Sequence, residues 1–268
     1  MQQITVKDFD LKRTLESGQF FHFQKIGRLY YIHNSDKVFA VAQEGNKLYF
    51  DGANKFEVSN FLGLNEDFAK VKESLMKDKI IREVIKEHQG IRLMNQDPWQ
   101  CTMSFICSSF SNIKKIQHNV YALSKQFGSP VSFNKYTGYS FPTIGSLNNL
   151  KKIRLCAVGF RAKYLYEANK ILSNDFFSDL RKLKYENAKN KLLEVPGIGE
   201  KVADCILLFS LGKTEAFPVD VWISRAMKEN FEECKKMNER KIAEFGRERW
   251  GRLAGYAQQY VYHWRRMK

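Results

Sequence analysis

Lys201 and Asp220 are the residues best placed to do chemistry in this 268-residue chain. Lys201 follows Pro196-Gly197-Ile198-Gly199-Glu200, and Asp220 comes nineteen positions later, behind Pro218-Val219. Helical sequence runs into a Pro-Gly-x-Gly turn and a second helix opens at once, which puts the lysine in its first turn. Gly197 and Gly199 can both take positive φ and let a phosphate come close to the backbone. The following helix starts with unpaired N–H groups and a partial positive charge, together an anion site. A lysine there suits covalent attack on an electrophilic carbon, provided the amine is neutral. Lowering its pKa from about 10.4 to about 7 requires roughly 4 kcal/mol of bias. Burial and the helix N-terminus push that way; approaching phosphates push back. Read alone, the lysine is a surface residue on an exposed turn, and Asp220 before Val221-Trp222-Ile223 is only a good N-cap.

The elements that must hold these residues are written in the same stretch. Leu192, Leu193 and Val195 before the turn, and Val202, Ala203, Ile206 and Phe209 after it, give both helices a buried face. Upstream, residues 20 to 52 read as an antiparallel meander. Phe20 to Ile26, Arg28 to His33, Lys37 to Gln43 and Lys47 to Phe50 are rich in aromatic and β-branched residues, with turns at Gly27, Asn34-Ser35-Asp36 and Glu44-Gly45-Asn46 between them. Residues 66 to 88 have a helical period, with Phe68, Val71, Leu75, Ile80, Ile81, Val84 and Ile85 as core positions. From Gln89-Gly90 onward strand signals vanish, and helices are expected at 99–108, 112–127, 146–157, 161–172, 186–194, 200–211, 221–229, 239–248 and 253–266. The reading is α+β: an N-terminal antiparallel sheet domain with helices over 1–90, then an all-helical domain over 91–268.

Composition narrows the partner. Lys+Arg 44 against Asp+Glu 29 leaves a formal charge of +15, which favours a polyanion, nucleic acid before an acidic membrane surface. No run of 18 apolar residues and no signal peptide is seen, so a cytoplasmic protein is expected, nucleoid-associated in a prokaryote. The five cysteines, at 101, 107, 156, 205 and 234, are odd in number and scattered. They read as reduced thiols and argue against an iron–sulfur cluster, so no metal or cofactor is expected. Nothing in the sequence points to an oligomer, and a monomer is expected.

The run from Leu192 to Cys205 with Pro218-Val219-Asp220 resembles the helix-hairpin-helix, Gly/Pro-rich, Asp motif of base-excision DNA glycosylases. In that superfamily the lysine marks members that attack the sugar themselves. Further landmarks are similar, in order, to the 8-oxoguanine DNA glycosylase/lyase family: Gln96-Asp97-Pro98-Trp99, Ser104 to Ser109, Gly159 to Tyr164, the hairpin, and Ala254 to Gln258. They cover nearly all of the helical domain, and the meander is similar to that family's extra, TBP-like N-terminal domain. The resemblance implies an enzyme that flips 8-oxoguanine out of duplex DNA and excises it through a Lys201 Schiff base. It then cuts the strand by β-elimination, with Asp220 steadying the developing sugar cation.

For the base, the resemblance implies Gln258 and Tyr262, one helical turn apart, as edge reader and stacking ring. The family's ring there is a Phe; here it carries a hydroxyl. A helix packing an aromatic stripe, with Tyr256, Tyr260 and Trp264 nearby, is the structural alternative. Cys205, one turn after Lys201, lines the base pocket or simply fills space. Gly18 matches the glycine whose carbonyl senses the N7 proton that unmodified guanine lacks. The match weakens on the DNA side. The family's asparagine, arginine and tyrosine wedge that hold the estranged cytosine are Phe110, Lys115 and Phe160 here, with Asn112 nearby and Arg161 in its expected place. The family's histidine after the aspartate is Trp222. Phe110 cannot read cytosine by hydrogen bonds, although Phe160 can stack as an apolar wedge. A weaker preference for cytosine opposite the lesion is therefore expected. Two other readings stay open: a glycosylase of the same fold for another damaged or mispaired base, and a non-catalytic module held by phosphate contacts alone.

Overall fold

The computed structural model describes residues 1–268. Five strands, β1 Gln2–Thr5, β2 Phe23–Ile26, β3 Leu29–Asn34, β4 Lys37–Glu44 and β5 Lys47–Asp51, form one antiparallel sheet in the order β1-β5-β4-β3-β2. The expected four-strand meander is present. The extra edge strand β1 is polar and exposed and carries no alternating apolar pattern, so its place is set by pairing with β5. One sheet face is covered by two short helices, α1 Leu11–Leu15 and α2 Lys55–Phe61, neither of which the sequence period reveals. Each is fixed by its cap: Asp10 accepts from Arg13, and Asn54 with Glu57 forms a reciprocal capping box.

The helical stretch at 66–88 is two helices, α3 Phe68–Leu75 and α4 Lys79–Glu87, because Asp78 caps a new N-terminus between them. The helical body follows: α5 Pro98–Ile106, α6 Ile113–Phe127, α7 Leu150–Leu155, α8 Arg161–Ile171, α9 Asn174–Lys182, α10 Tyr185–Leu193, α11 Glu200–Ser210, α12 Val221–Asn230, α13 Glu239–Trp250 and α14 Ala254–Met267. Helix α9 lies outside the expected set; only Phe177 and Leu180 of its nine residues are buried, so its apolar stripe is thin. Helix α7 is shorter than the expected 146–157.

Strands do not end at residue 90. A small hairpin, β6 Pro130–Phe133 and β7 Tyr136–Tyr139, lies where only a loop is expected. Asn134 takes positive φ at its turn, and Tyr136 stacks on Tyr31 of β3 at 4.3 Å and meets His33 Nε2 at 2.6 Å. Its pattern is too short to declare itself; docking on the main sheet makes it a strand pair.

The boundary at residue 90 does not coincide with the division of the cores. One cluster of 15 buried residues runs from Val6 to Leu62 and adds only Met94. The largest, of 58, takes in Phe68, Val71, Leu75, Ile81, Val84 and Ile85 with the helices that follow, and from the N-terminal segment only Phe21; a third, of 3, joins Tyr31 and Ala40 to Tyr136. Helices α3 and α4 thus pack with the helical body, and we place the division between cores after Leu62.

Candidate active site

The hairpin forms as its residues dictate. Helix α10 ends at Leu193, Ile198 N–H closes on Val195 O at 3.1 Å, and Ala203 N–H on Gly199 O at 2.9 Å begins α11. Gly197 sits at φ +88. Gly199 does not need positive φ; it is extended at φ −97, and what glycine supplies there is room, since a Cβ would meet nothing within 4 Å. The open side of this turn is where the free N–H groups of α11 begin, so the corner can seat a phosphate.

Lys201 is half-buried and points across to the end of α5. Its Nζ lies 3.1 Å from Ser108 Oγ and 5.0 Å from the centre of the Phe105 ring. Phe105 is held in turn by stacking on Phe209 of α11 at 5.7 Å. Asp220 is half-buried and caps α12, accepting the Ile223 N–H at 2.9 Å through Oδ1. Lys201 and Asp220 form no ion pair; the ammonium rests on Ser108 instead. Both nevertheless act on one buried thiol, that of Cys205. Burial pushes the Cys205 thiol up to about 12, the Lys201 ammonium pulls it back, and Asp220 pushes it further. Tyr262 is likewise raised to about 12, first by burial and then by the Asp220 carboxylate.

Helix α14 ties the other candidates to these residues. Gln258 is buried, and its Nε2 donates to Pro218 O at 2.9 Å, two residues before Asp220, while its Oε1 is buried without a partner. Gly18, at φ +82, lies against Tyr262: a Cβ there would be 3.1 Å from Cε1 and 3.2 Å from the hydroxyl. The neighbouring carbonyls are anchored, Ser17 O by Gln259 Nε2 and Gln19 O by Gln96 Nε2. Lys201, Cys205, Asp220, Gln258, Tyr262 and Gly18 are thus gathered from α11, α12, α14 and the loop after α1.

The residues expected on the DNA side divide. Phe110 is 97% exposed at φ +49, and Phe160 is 57% exposed with its ring 6.5 Å from that of Phe110. Lys115 is exposed in the first turn of α6. Arg161 does not face outward. It is buried, and its guanidinium is spent on the carbonyls of Val158, Ser109 and Phe110, which lock the loop that presents Phe110. Asn112 caps α6, accepting the Lys115 N–H at 3.0 Å, so its Oδ1 is committed to the helix.

Three contacts escaped sequence reading. Ser108 and Phe105 touch Lys201 from 93 and 96 residues away, and no local pattern joins them. The third had a signal, an aspartate in the apolar run of α11: Asp204 is buried and pairs with Lys189 Nζ at 3.1 Å, and Tyr185 donates to it at 2.6 Å. Burial holds the Asp204 carboxyl above the usual range in spite of that lysine.

A Pro-Gly-x-Gly hairpin, a lysine in the first turn after it and an aspartate capping the next helix define the helix-hairpin-helix class of DNA base-excision proteins. A family model described as the N-terminal domain of 8-oxoguanine DNA glycosylase matches residues 1–102. A probable N-glycosylase/DNA lyase of Methanothermobacter thermautotrophicus is 33% identical over 215 residues, 71% of this chain and 68% of that protein. The structure of MBOgg1 in complex with a low-affinity DNA ligand superposes with a TM-score of 0.93 at 32% identity, over 99% of this chain and 95% of the other. The Clostridium acetobutylicum 8-oxoguanine glycosylase/lyase, bound to duplex DNA with cytosine opposite 8-oxoG, gives 0.91 at 30% identity, over 100% and 98%. The chain belongs to the 8-oxoguanine DNA glycosylase/lyase family.

Proposed function

We infer that this protein is a bifunctional repair enzyme that excises 8-oxoguanine from duplex DNA and cleaves the strand at the resulting site. The observation that carries the assignment of residues is the half-buried Lys201 amine, set between the end of α5 and the buried Cys205 thiol, which the Asp220 carboxylate also acts on. The hairpin N–H groups grip the phosphodiester, and the neutral amine attacks the anomeric carbon as the bond to the base breaks. The Asp220 carboxylate, with Oδ1 fixed by its cap, offsets the positive charge that develops on the sugar. Ring opening gives an imine on Nζ; loss of a proton from the adjacent carbon then expels the 3′ phosphate.

Gln258 offers its unpartnered Oε1 to the base edge, Tyr262 offers its ring, and Gly18 offers a carbonyl held between two anchored neighbours. Phe110 and Phe160 form an apolar wedge for the hole left by the flipped base. Arg161, tied to backbone carbonyls, supports that wedge. The excess of 15 positive charges favours DNA as partner, and we place the protein in the cytoplasm, at the nucleoid in a prokaryote.

Borohydride trapping on duplexes carrying different lesions tests the reading. The expected result is a covalent adduct on 8-oxoguanine duplexes, lost in Lys201→Ala and kept in Lys115→Ala. Tight, salt-sensitive binding with no adduct on any lesion overturns it in favour of a pure DNA-binding module; an adduct confined to another lesion redirects the substrate.

A further inference from the structure

We propose that Ser108 is a positioning residue for the Lys201 nucleophile, a proposal that rests on the catalytic reading of Lys201. Ser108 closes the last turn of α5, and its hydroxyl hydrogen is already used, donated to Phe105 O at 2.7 Å. Toward Lys201 Nζ, at 3.1 Å, it therefore presents lone pairs only. Whatever the charge on the amine, the group that faces Ser108 is an N–H. The second neighbour on this side, the face of Phe105 at 5.0 Å, is also electron-rich and also takes an N–H. Two acceptors on the α5 side turn the lone pair of the neutral amine away from α5, toward the side where Cys205 lies and Asp220 acts. A flexible four-carbon side chain is given a firing direction by two groups that never touch the substrate.

The bland reading is that Ser108 only back-bonds to the helix end, as serines often do. Single-turnover excision across pH separates the two. An acceptor favours the ammonium over the amine, so Ser108→Ala should free the amine at lower pH while losing its orientation. The expected result is a rising limb displaced to lower pH, a plateau about tenfold lower, and duplex affinity within about twofold of the parent. Ser108→Thr, which keeps the hydroxyl, restores both limb and plateau. Ser108→Cys, a weak acceptor of similar size, behaves as alanine does and decides between the two if the alanine variant does not fold. An unchanged plateau, a proportional loss with the limb unmoved, or a threonine variant as slow as alanine overturns the proposal. If the unmodified protein forms no adduct at all, the catalytic reading fails instead; an adduct with an indifferent Ser108→Ala sinks this inference alone.

Discussion

Gly197 and Tyr164 claim the same space: a methyl group on Gly197 would stand 2.5 Å from Tyr164 Cβ and 2.9 Å from its Cγ. The hairpin is thereby packed directly on α8, and the Tyr164 ring meets Phe160 edge-on at 6.2 Å. Gly197→Ala should cost about 2–4 kcal/mol, from the positive φ and the overlap together. Gly199→Ala, in open space at negative φ, should change stability by less than about 1 kcal/mol yet weaken duplex binding, because its methyl stands where the phosphate must approach. Urea melts and binding isotherms on the two variants check the pair. Equal stability losses would contradict the geometry.

Phe110 holds a left-handed backbone conformation that asparagine adopts far more readily. Phe110→Asn should leave stability unchanged or raise it by up to about 1 kcal/mol. It also restores an amide where the resembling family carries one. The parent protein should excise 8-oxoguanine at comparable single-turnover rates opposite all four bases, and the variant should shift toward cytosine. A sharp cytosine requirement in the parent would show that the wedge reads more than its chemistry allows.

The hairpin and the sheet were legible because each is specified locally. Pro196-Gly197-Ile198-Gly199 sets its own turn, and the strands from Leu29 to Asp51 alternate around polar turns. What was hidden depends on distant partners. Arg161 stands where its family resemblance implies a DNA contact, yet three carbonyls claim its guanidinium. The hairpin at Pro130–Tyr139 exists because Tyr136 finds Tyr31 and His33, residues about a hundred positions earlier. The motif is enough to find Lys201; its resting partner Ser108 lies inside a recognised landmark whose contact the sequence does not state.

Lys189 and Asp204 are a buried pair joining α10 to α11, with Glu200 Oε2 2.7 Å from the same ammonium. Lys189→Met strands a buried carboxyl, and should cost about 3–5 kcal/mol. Lys189→Met with Asp204→Leu should recover much of that loss, since a charge and its partner leave together. Thermal melts of the single and double variants decide it. A double variant as unstable as the single would mean that the pair itself, rather than its stranded half, holds the hairpin helices.

Two histidine pairs give folding a pH dependence. His22 stacks on His33 at 4.5 Å, and His88 meets His263 at 5.0 Å. Burial lowers all four, with His33 and His263 each brought to about 4. Arg13 adds to this at His88, and Arg266 and Arg13 add to it at His263. The folded values lie below the unfolded value of about 6.5, so the unfolded chain binds more protons across that window. The stability they contribute is complete above about pH 6.5 and drains away as pH falls toward 4, by about 1.4 kcal/mol per pH unit for each proton. Asp97 and Asp204, raised by burial, run the opposite way. His263→Phe removes one titrating group and no hydrogen bond, so its melting temperature should fall less steeply between pH 6.5 and 5 than the parent's. Parallel slopes would refute the assignment.

All five cysteines are buried and unpaired, and burial raises every one of them, Cys107 and Cys205 to about 12 and Cys156 to about 11. At neutral pH a thiol near 12 is ionised in only about one molecule in a hundred thousand. Peroxide attacks the thiolate, so burial and suppressed ionisation together should slow the conversion of these thiols to sulfenic acid. Intact-mass spectra after peroxide treatment should show methionine oxidation before any change at cysteine. A repair enzyme built this way should keep its thiols reduced through the stress that makes its work.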